Sequence, residues 1–271
     1  MKNIIKKGLA YGGLLLLVQG FTACKGEKEK GDMNFSSYSL SVVAEGADSD
    51  SLRNVLDNFD GRWNVNVCGI LPERLGEKSV EELRDSLCRL ANITFDEDGK
   101  TVVEYPEELR ELSKELGDTI PTDRKPGSIF DNTLSLAMLT PKVAVFNSYK
   151  YSYPEGAAHG VWVNSYVNYD IAAGQILTYG NLFTTGFGKM LVPAILNKLE
   201  EQGIELIVER EDIINRMPRQ FRLTPDGIEF IYSLYEIAPY SAGEPKVKFT
   251  YGELESLLRP AAKSLLLGGS E

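Results

Sequence analysis

Apolar and polar residues alternate through "GRWNVNVCGILP", residues 61 to 72, putting Trp63, Val65 and Val67 on one face. A period of two predicts a half-buried β-strand. The spacing lengthens in "SVEELRDSLCRLA", where Val80, Leu83, Leu87 and Leu90 form one stripe and Ser79 precedes it. That predicts a helix with Ser79 as N-cap. "NITFDEDGKTVVEY" predicts a hairpin turning at Asp96 to Gly99. "PEELRELSKELG" predicts a helix from Pro106 to Gly117, with Leu109, Leu112 and Leu116 on one side.

"TIPTDRKPGSIFDN", with Pro121, Pro126 and Gly127, predicts a long loop or subdomain boundary. Beyond it, "TPKVAVFNSYKYSY" and "GVWVNSYVNYD" predict strands, and "AAGQ" a turn into "ILTYGNLF". A helix is expected from about Met190 to Gln202, with Pro193 in its first turn or kinking it. "QFRLTPDGIEFIYSLYEI" predicts a hairpin around Thr224 to Gly227. In "PKVKFTY", Val247 and Phe249 share one face of a strand, and "TYGELESLLR" opens a helix with a capping box from Thr250 to Glu253. Pro260 is expected to kink or end that helix. Strands and helices do not alternate regularly. The expected class is therefore α+β, with largely antiparallel sheets, packed helices and two subdomains.

The first residues carry a different pattern. Lys2, Lys6 and Lys7 precede an apolar run that is densest at Leu14 to Val18, and "FTAC" follows. A basic start, a short apolar core and a small residue before the cut make a secretory signal. "FTAC" resembles a bacterial lipobox, with cleavage after Ala23 and lipidation of Cys24, although Phe21 stands where Leu is usual. An ordinary signal peptide with an incidental cysteine is the other reading. "KGEKEKGDMN" follows, charged and almost free of large apolar residues, and reads as a flexible tether over 24–33.

Charge narrows the partners. Removing residues 1 to 23 takes away three lysines and no acids, leaving 26 basic against 39 acidic residues, a net −13. That argues against nucleic acid, whose binding relies on basic side chains. It suits solubility or long-range attraction of a cationic partner. The 248 remaining residues suffice for one large or two modest domains. Cys68 and Cys88 either pair in an oxidising envelope or stay as buried thiols, since both lie in apolar patterns.

Common catalytic signatures are missing: no P-loop, no Gly-x-Ser-x-Gly elbow, no His-Glu-x-x-His and no Cys-x-x-Cys. No cofactor is implied. "DEDGK" lacks the spaced oxygen ligands of a calcium loop, and a single histidine, His159, does not build a multi-histidine zinc site. His159 either organises a turn or acts as a lone general base beside Ser165, Glu155 or Asp170.

Three segments carry a family resemblance: "YSYPEGAAHG", "VNYDIAAGQILTYGNLF" and "LTPDGIEFIYSLYEIAPYSAGEPKVKFTYGEL". Together they resemble the C-terminal domain shared by RsiV-type anti-sigma factors and PdaC-type peptidoglycan deacetylases. Gly156, Ala158 and His159 match its Gly-Gly-Ala-His segment, with Ala157 in place of the second glycine. Asn168, Tyr169, Asp170 and Gly174 match a second element; Tyr235, Ile237, Ala238, Pro239, Tyr240 and Gly243 match a third. The resemblance covers about residues 146 to 260, and 34–145 would take the place of a smaller α/β subdomain, with 261–271 a tail.

The resemblance implies an extracytoplasmic module, which in the anti-sigma factors senses lysozyme by binding it. The catalytic motifs of the deacetylase and a membrane helix with a sigma-binding arm do not occur in the sequence. The expected function is a non-enzymatic binding or sensing lipoprotein of the cell envelope, periplasmic or at the outer surface, held in the bilayer by an acyl anchor on Cys24. Its ligand would be a cationic protein such as lysozyme, or a wall glycan. Candidate binding residues are Tyr153, Glu155, His159, Trp162, Asn164 and Tyr240, and the aromatic set Tyr149, Tyr151, Tyr153, Tyr166 and Trp162 fits either ligand or a sheet core. Two alternatives stay open: a wall-glycan hydrolase or deacetylase using His159 with a carboxylate such as Asp170, and a structural envelope component.

Overall fold

The computed structural model describes residues 33–45, 62–95, 101–103, 128–153 and 157–268. The signal segment, the tether up to residue 32, the Asp96–Gly99 turn, the helix expected at 106–117 and Glu155 lie outside the described residues.

The chain is α+β. Its main sheet contains β1 (Asn34–Glu45), β2 (Arg62–Arg74), β5 (Ser128–Leu139), β6 (Val143–Tyr153), β7 (Val161–Asp170) and β8 (Gln175–Leu177), in the order β1-β2-β5-β6-β7-β8. All neighbours are antiparallel except β2 and β5. A parallel pair needs a long crossover, and α1 (Glu81–Ala91) lies within it. So do β3 (Ile93–Phe95) and β4 (Thr101–Val103), which pair as the expected hairpin. The loop expected up to Asn132 gives way to β5 at Ser128, whose alternating Phe130, Asn132 and Leu134 are buried. The sheet also runs through the expected boundary at 145/146, because β5 pairs with β6 from Leu139 to Ile129.

Each face of this sheet carries its own core. On one face Val67, Leu71, Phe130, Leu134, Ala144, Phe146 and Tyr169 pack on Val80, Leu83, Leu87 and Ala91 of the α1 region. Leu90, expected in that stripe, is only half-buried. Ser79 Oγ accepts from the Glu81 backbone N–H, so it caps one residue before the helix boundary at Val80. The other end of α1 is satisfied by the sheet: Asn132 Nδ2 donates to the Ala91 carbonyl, and Ser148 Oγ lies 3.5 Å from that of Leu90. Buried helix carbonyls need such partners.

The second face is covered by a C-terminal layer. It contains α2 (Tyr179–Leu182), α3 (Gly188–Glu201), α4 (Arg210–Ile213), β9 (Gln220–Thr224), β10 (Gly227–Ile231), β11 (Lys246–Thr250), α5 (Tyr251–Leu254) and α6 (Pro260–Leu266). Strands β11-β10-β9 form a three-stranded antiparallel sheet. Its Phe221, Leu223, Ile228, Phe230, Val247 and Phe249 join Leu191, Val192, Ile195, Leu196 and Leu199 of α3 over Val143 and Val145. Pro193 sits in the second turn of α3, inside the helix rather than in its first turn. The β9–β10 hairpin turns through Pro225 and Asp226 as the Pro-Asp-Gly pattern predicts. Pro260 starts α6 instead of ending the helix before it, and the expected tail is a packed helix: Ala262 is buried and Lys142 Nζ donates to the Gly268 carbonyl at 2.9 Å.

Cys68 and Cys88 are both free. Cys68 is exposed, beside Thr133 on the face away from α1, whereas Cys88 belongs to α1. The sheet stands between them, so they do not pair, and Cys68 is not the buried thiol its apolar setting predicts.

A seam of side chains joins β7 to the C-terminal layer. Only Asn168 to Asp170 of β7 pair with the short β8. Further along, the Tyr166 N–H donates to Gln220 Oε1 at 3.1 Å and the Asn164 N–H to Glu244 Oε1 at 3.0 Å. In return, the buried Asn168 amide binds β9 twice: Nδ2 donates to the Phe221 carbonyl at 2.9 Å, and Oδ1 accepts the Leu223 N–H at 2.8 Å. Asn168→Ala leaves those two groups unpaired, and each buried orphan costs about 1–3 kcal/mol. Urea denaturation is expected to show a loss of about 3 kcal/mol. A loss below about 0.5 kcal/mol would mean the seam contributes nothing beyond ordinary surface substitutions.

The capping box is formed as predicted: Thr250 Oγ1 accepts the Glu253 N–H at 3.2 Å and Glu253 Oε2 accepts the Thr250 N–H at 2.7 Å. That backbone bond, then Lys198 Nζ at 3.0 Å and the Thr250 hydroxyl, hold the Glu253 carboxyl down to about 2. A carboxyl lowered on folding stabilises fully above its unfolded value and loses that contribution as pH falls through the folded one. The Glu253→Gln variant should therefore show a shallower loss of melting temperature between about pH 4.5 and pH 2 than the parent. Parallel acid profiles would remove Glu253 from acid stability.

Candidate functional site

The sequence of β6, "VAVFNSYKYSY", changes character along one face. Val143 and Val145 lie under the C-terminal layer, while Asn147, Tyr149, Tyr151 and Tyr153 follow at the same parity. Tyr149 is 36% exposed. Cross-strand neighbours extend the face. Tyr149 lies opposite Asn164 on β7 and Thr133 on β5; Tyr151 lies opposite Trp162 and Asp131. On β2, Cys68 stands beside Thr133, and Asn66 Nδ2 donates to Asp131 Oδ1 at 2.8 Å. Half of this sheet face is thus a core, and the other half is an open surface of tyrosines and amides.

His159 sits at the rim of the open half. Its ring stacks on Tyr240 with centroids 3.8 Å apart, and Trp162 meets Tyr240 edge-on at 5.3 Å. Nδ1 lies 3.2 Å from the Gly160 carbonyl, and Nε2 lies 3.1 Å from the Tyr235 hydroxyl. A carbonyl only accepts, so Nδ1 carries the proton and Nε2 takes the Tyr235 O–H. The Tyr240 hydroxyl also donates to the Gly160 carbonyl, at 2.8 Å. Gly160 leaves room for a neighbour: a Cβ there would run into the outer edge of the Tyr151 ring and push it aside. Tyr235 is 48% exposed and holds φ at +60°, a conformation that costs any residue with a Cβ.

A second chain of contacts lies behind the rings. Glu244 accepts the Asn164 backbone N–H through Oε1 and its Nδ2 through Oε2 at 2.6 Å, and Asn147 Nδ2 donates to Asn164 Oδ1 at 3.2 Å. Asn147 Oδ1 ends the chain with no protein partner among the described residues. Burial, then Tyr151, Asp131, Glu244 and Tyr240, push the Tyr149 hydroxyl above the ordinary phenol range.

The structure therefore gathers Tyr153, His159, Trp162, Asn164 and Tyr240 at one end of the sheet. The Tyr153 hydroxyl donates to the Ala157 carbonyl at 3.2 Å. Asp170 is elsewhere. It ends β7, whose ten residues put it about 30 Å from Val161 at ~3.3 Å per residue, and its Oδ1 accepts the Ala173 N–H at 2.9 Å. His159 and Asp170 do not form an acid–base pair. With one nitrogen on a carbonyl and the other on Tyr235, His159 has the contacts of a fixed ring rather than of a poised base. Among the described residues no three His, Cys, Asp or Glu side chains converge as around a metal ion.

Residues 180–252 match the model of a family described as "Protein of unknown function (DUF3298)". Two solved structures share the fold. A DUF3298 family member from Bacteroides fragilis superposes with a TM-score of 0.57 at 18% identity, over 86% of this chain and 96% of its own. A DUF3298 family protein from Pseudomonas aeruginosa gives 0.54 at 14% identity, over 86% and 97%. Those shares extend the likeness beyond the 146–260 segment into the N-terminal strands. A comparison with curated proteins finds no match.

Sequence reasoning did not pick Tyr235, Glu244, Gly160 or Asn147 as site residues. Tyr235 and Tyr240 are five apart in "YEIAPY", and the tyrosine spacing in "YKYSY" already places three rings on one side of a strand. Glu244 carried no signal, since its role depends on the unpaired edge of β7.

Proposed function

We propose that this chain is a lipid-anchored binding module of the cell envelope, with Cys24 as the acylated residue and no catalytic role for its histidine. The observation that carries the binding half is the open tyrosine and amide surface, with both nitrogens of His159 already engaged at its rim. An aromatic surface of this kind, with a few fixed polar groups, supplies contact area at low entropic cost. The signal pattern ending in "FTAC" and the charged stretch after it support the anchor and tether. The resemblance to the RsiV- and PdaC-type C-terminal domain supports an extracytoplasmic place, and with it a ligand met there: a cationic protein such as lysozyme, or a wall glycan. The mature net charge of −13 favours attraction of the protein ligand.

Two measurements test this reading. Metabolic labelling with palmitate is expected to mark the parent and leave Cys24→Ala unlabelled; equal labelling would end the anchor assignment. Calorimetric titration of the full chain with lysozyme, and separately with soluble wall saccharides, is expected to give saturable heat with at least one. Silence with both would end the ligand assignment.

A further inference from the structure

The open half-face distinguishes between those ligand classes. Its carboxylates are tied into the fold: Glu244 binds Asn164 through both oxygens, and Asp131 Oδ1 accepts from Asn66. A cationic protein would favour carboxylates that project free of such bonds. What the face leaves exposed is ring area at His159, Tyr235 and Tyr149. A saccharide suits such a surface. Its C–H faces pack on aromatic rings.

Tyr235 supplies the independent observation. Its left-handed backbone would suit glycine or asparagine. A tyrosine is held there, about half-exposed, with its hydroxyl on His159. A strained residue that presents a ring to solvent points to a use outside the fold.

We propose that this surface binds a neutral saccharide chain. One sugar ring lies on the Tyr235–His159–Tyr240 rim, and its neighbour runs over Tyr149. The proposal rests on the binding-module reading above and names the ligand class of that site.

The test is titration of the full chain with a tetrasaccharide of N-acetylglucosamine, followed by tryptophan emission, because Trp162 packs on Tyr240. A saturable change is expected. Tyr235→Gly removes the ring and relaxes the backbone, so it should weaken binding by about two- to ten-fold, the worth of one aromatic contact. Its melting temperature should be equal to or above that of the parent. Tyr235→Phe should stay within that range of the parent, because the ring remains. Three results would overturn the proposal: no saturable change, unchanged affinity in Tyr235→Gly, or a lowered melting temperature showing that the ring serves the fold. A saccharide-silent chain that binds lysozyme keeps the binding-module reading and removes the saccharide. A chain silent with both loses the two together.

Discussion

The unpaired edge of β7 is the constraint on which the remaining architecture depends. A strand inside a protein must find partners for its outward N–H and carbonyl groups. β8 supplies them for only three residues. The C-terminal layer supplies the next ones through side chains, Gln220 for Tyr166 and Glu244 for Asn164. Asn168 works in the opposite direction, giving the edge of β9 an amide in place of a fourth strand. Because these bonds run both ways, the small sheet is fixed in register on the large one as well as packed against it. Hydrophobic burial between Val143, Val145 and the α3 side chains provides the larger driving force, but it is non-directional. The seam decides where the layer stops.

Where it stops creates the candidate site. Glu244 makes the last stitch, and beyond it the same parity of β6 passes from valine to asparagine and tyrosine, while β7 carries Asn164 and Trp162 opposite them. Had the C-terminal layer extended two residues further along the strands, Tyr149 and Tyr151 would be core residues. Glu244 thus belongs both to the fold, as an edge partner of Asn164, and to the site, as the group that fixes the Asn164 amide behind the rings. His159 has a similar double position. Its stacking on Tyr240 ties the β6–β7 turn to the segment following β10, and it carries the Tyr235 hydroxyl outward.

Much of the secondary structure was legible because local pattern and tertiary demand agreed there. β6, β7, the β9–β10 hairpin, β11 with Val247 and Phe249 inside, and the Thr250–Glu253 capping box all follow from period, turn residues and capping chemistry. The misses have physical reasons. β5 begins directly after Pro126-Gly127, whose breaker signal hid the alternation that follows. β1 carries Tyr38, Leu40 and Val42 between serines, a period of two whose signal is weakened by the charged tether beside it. Residues after 260 looked like a tail because seven residues cannot hold a helix alone. They hold it by burying Ala262 against the layer. The site was half legible: its rings could be seen on the strands, but their partners across the fold could not.

The signature elements divide between these two tasks in an informative way. In Asn-Tyr-Asp, each side chain has an internal use: Asn168 clamps β9, Tyr169 donates to the Ser79 carbonyl at 3.2 Å, and Asp170 shapes the turn to Gly174, whose φ is +69°. Nothing in this element reaches the open face. Tyr149, Trp162 and Tyr235 are different. Two stand where a serine or threonine would satisfy the strand, and the third stands where glycine would satisfy the backbone. The fold does not account for their size. Function is therefore to be sought in the aromatic residues that the scaffold tolerates, and not in the Asn-Tyr-Asp element that it requires.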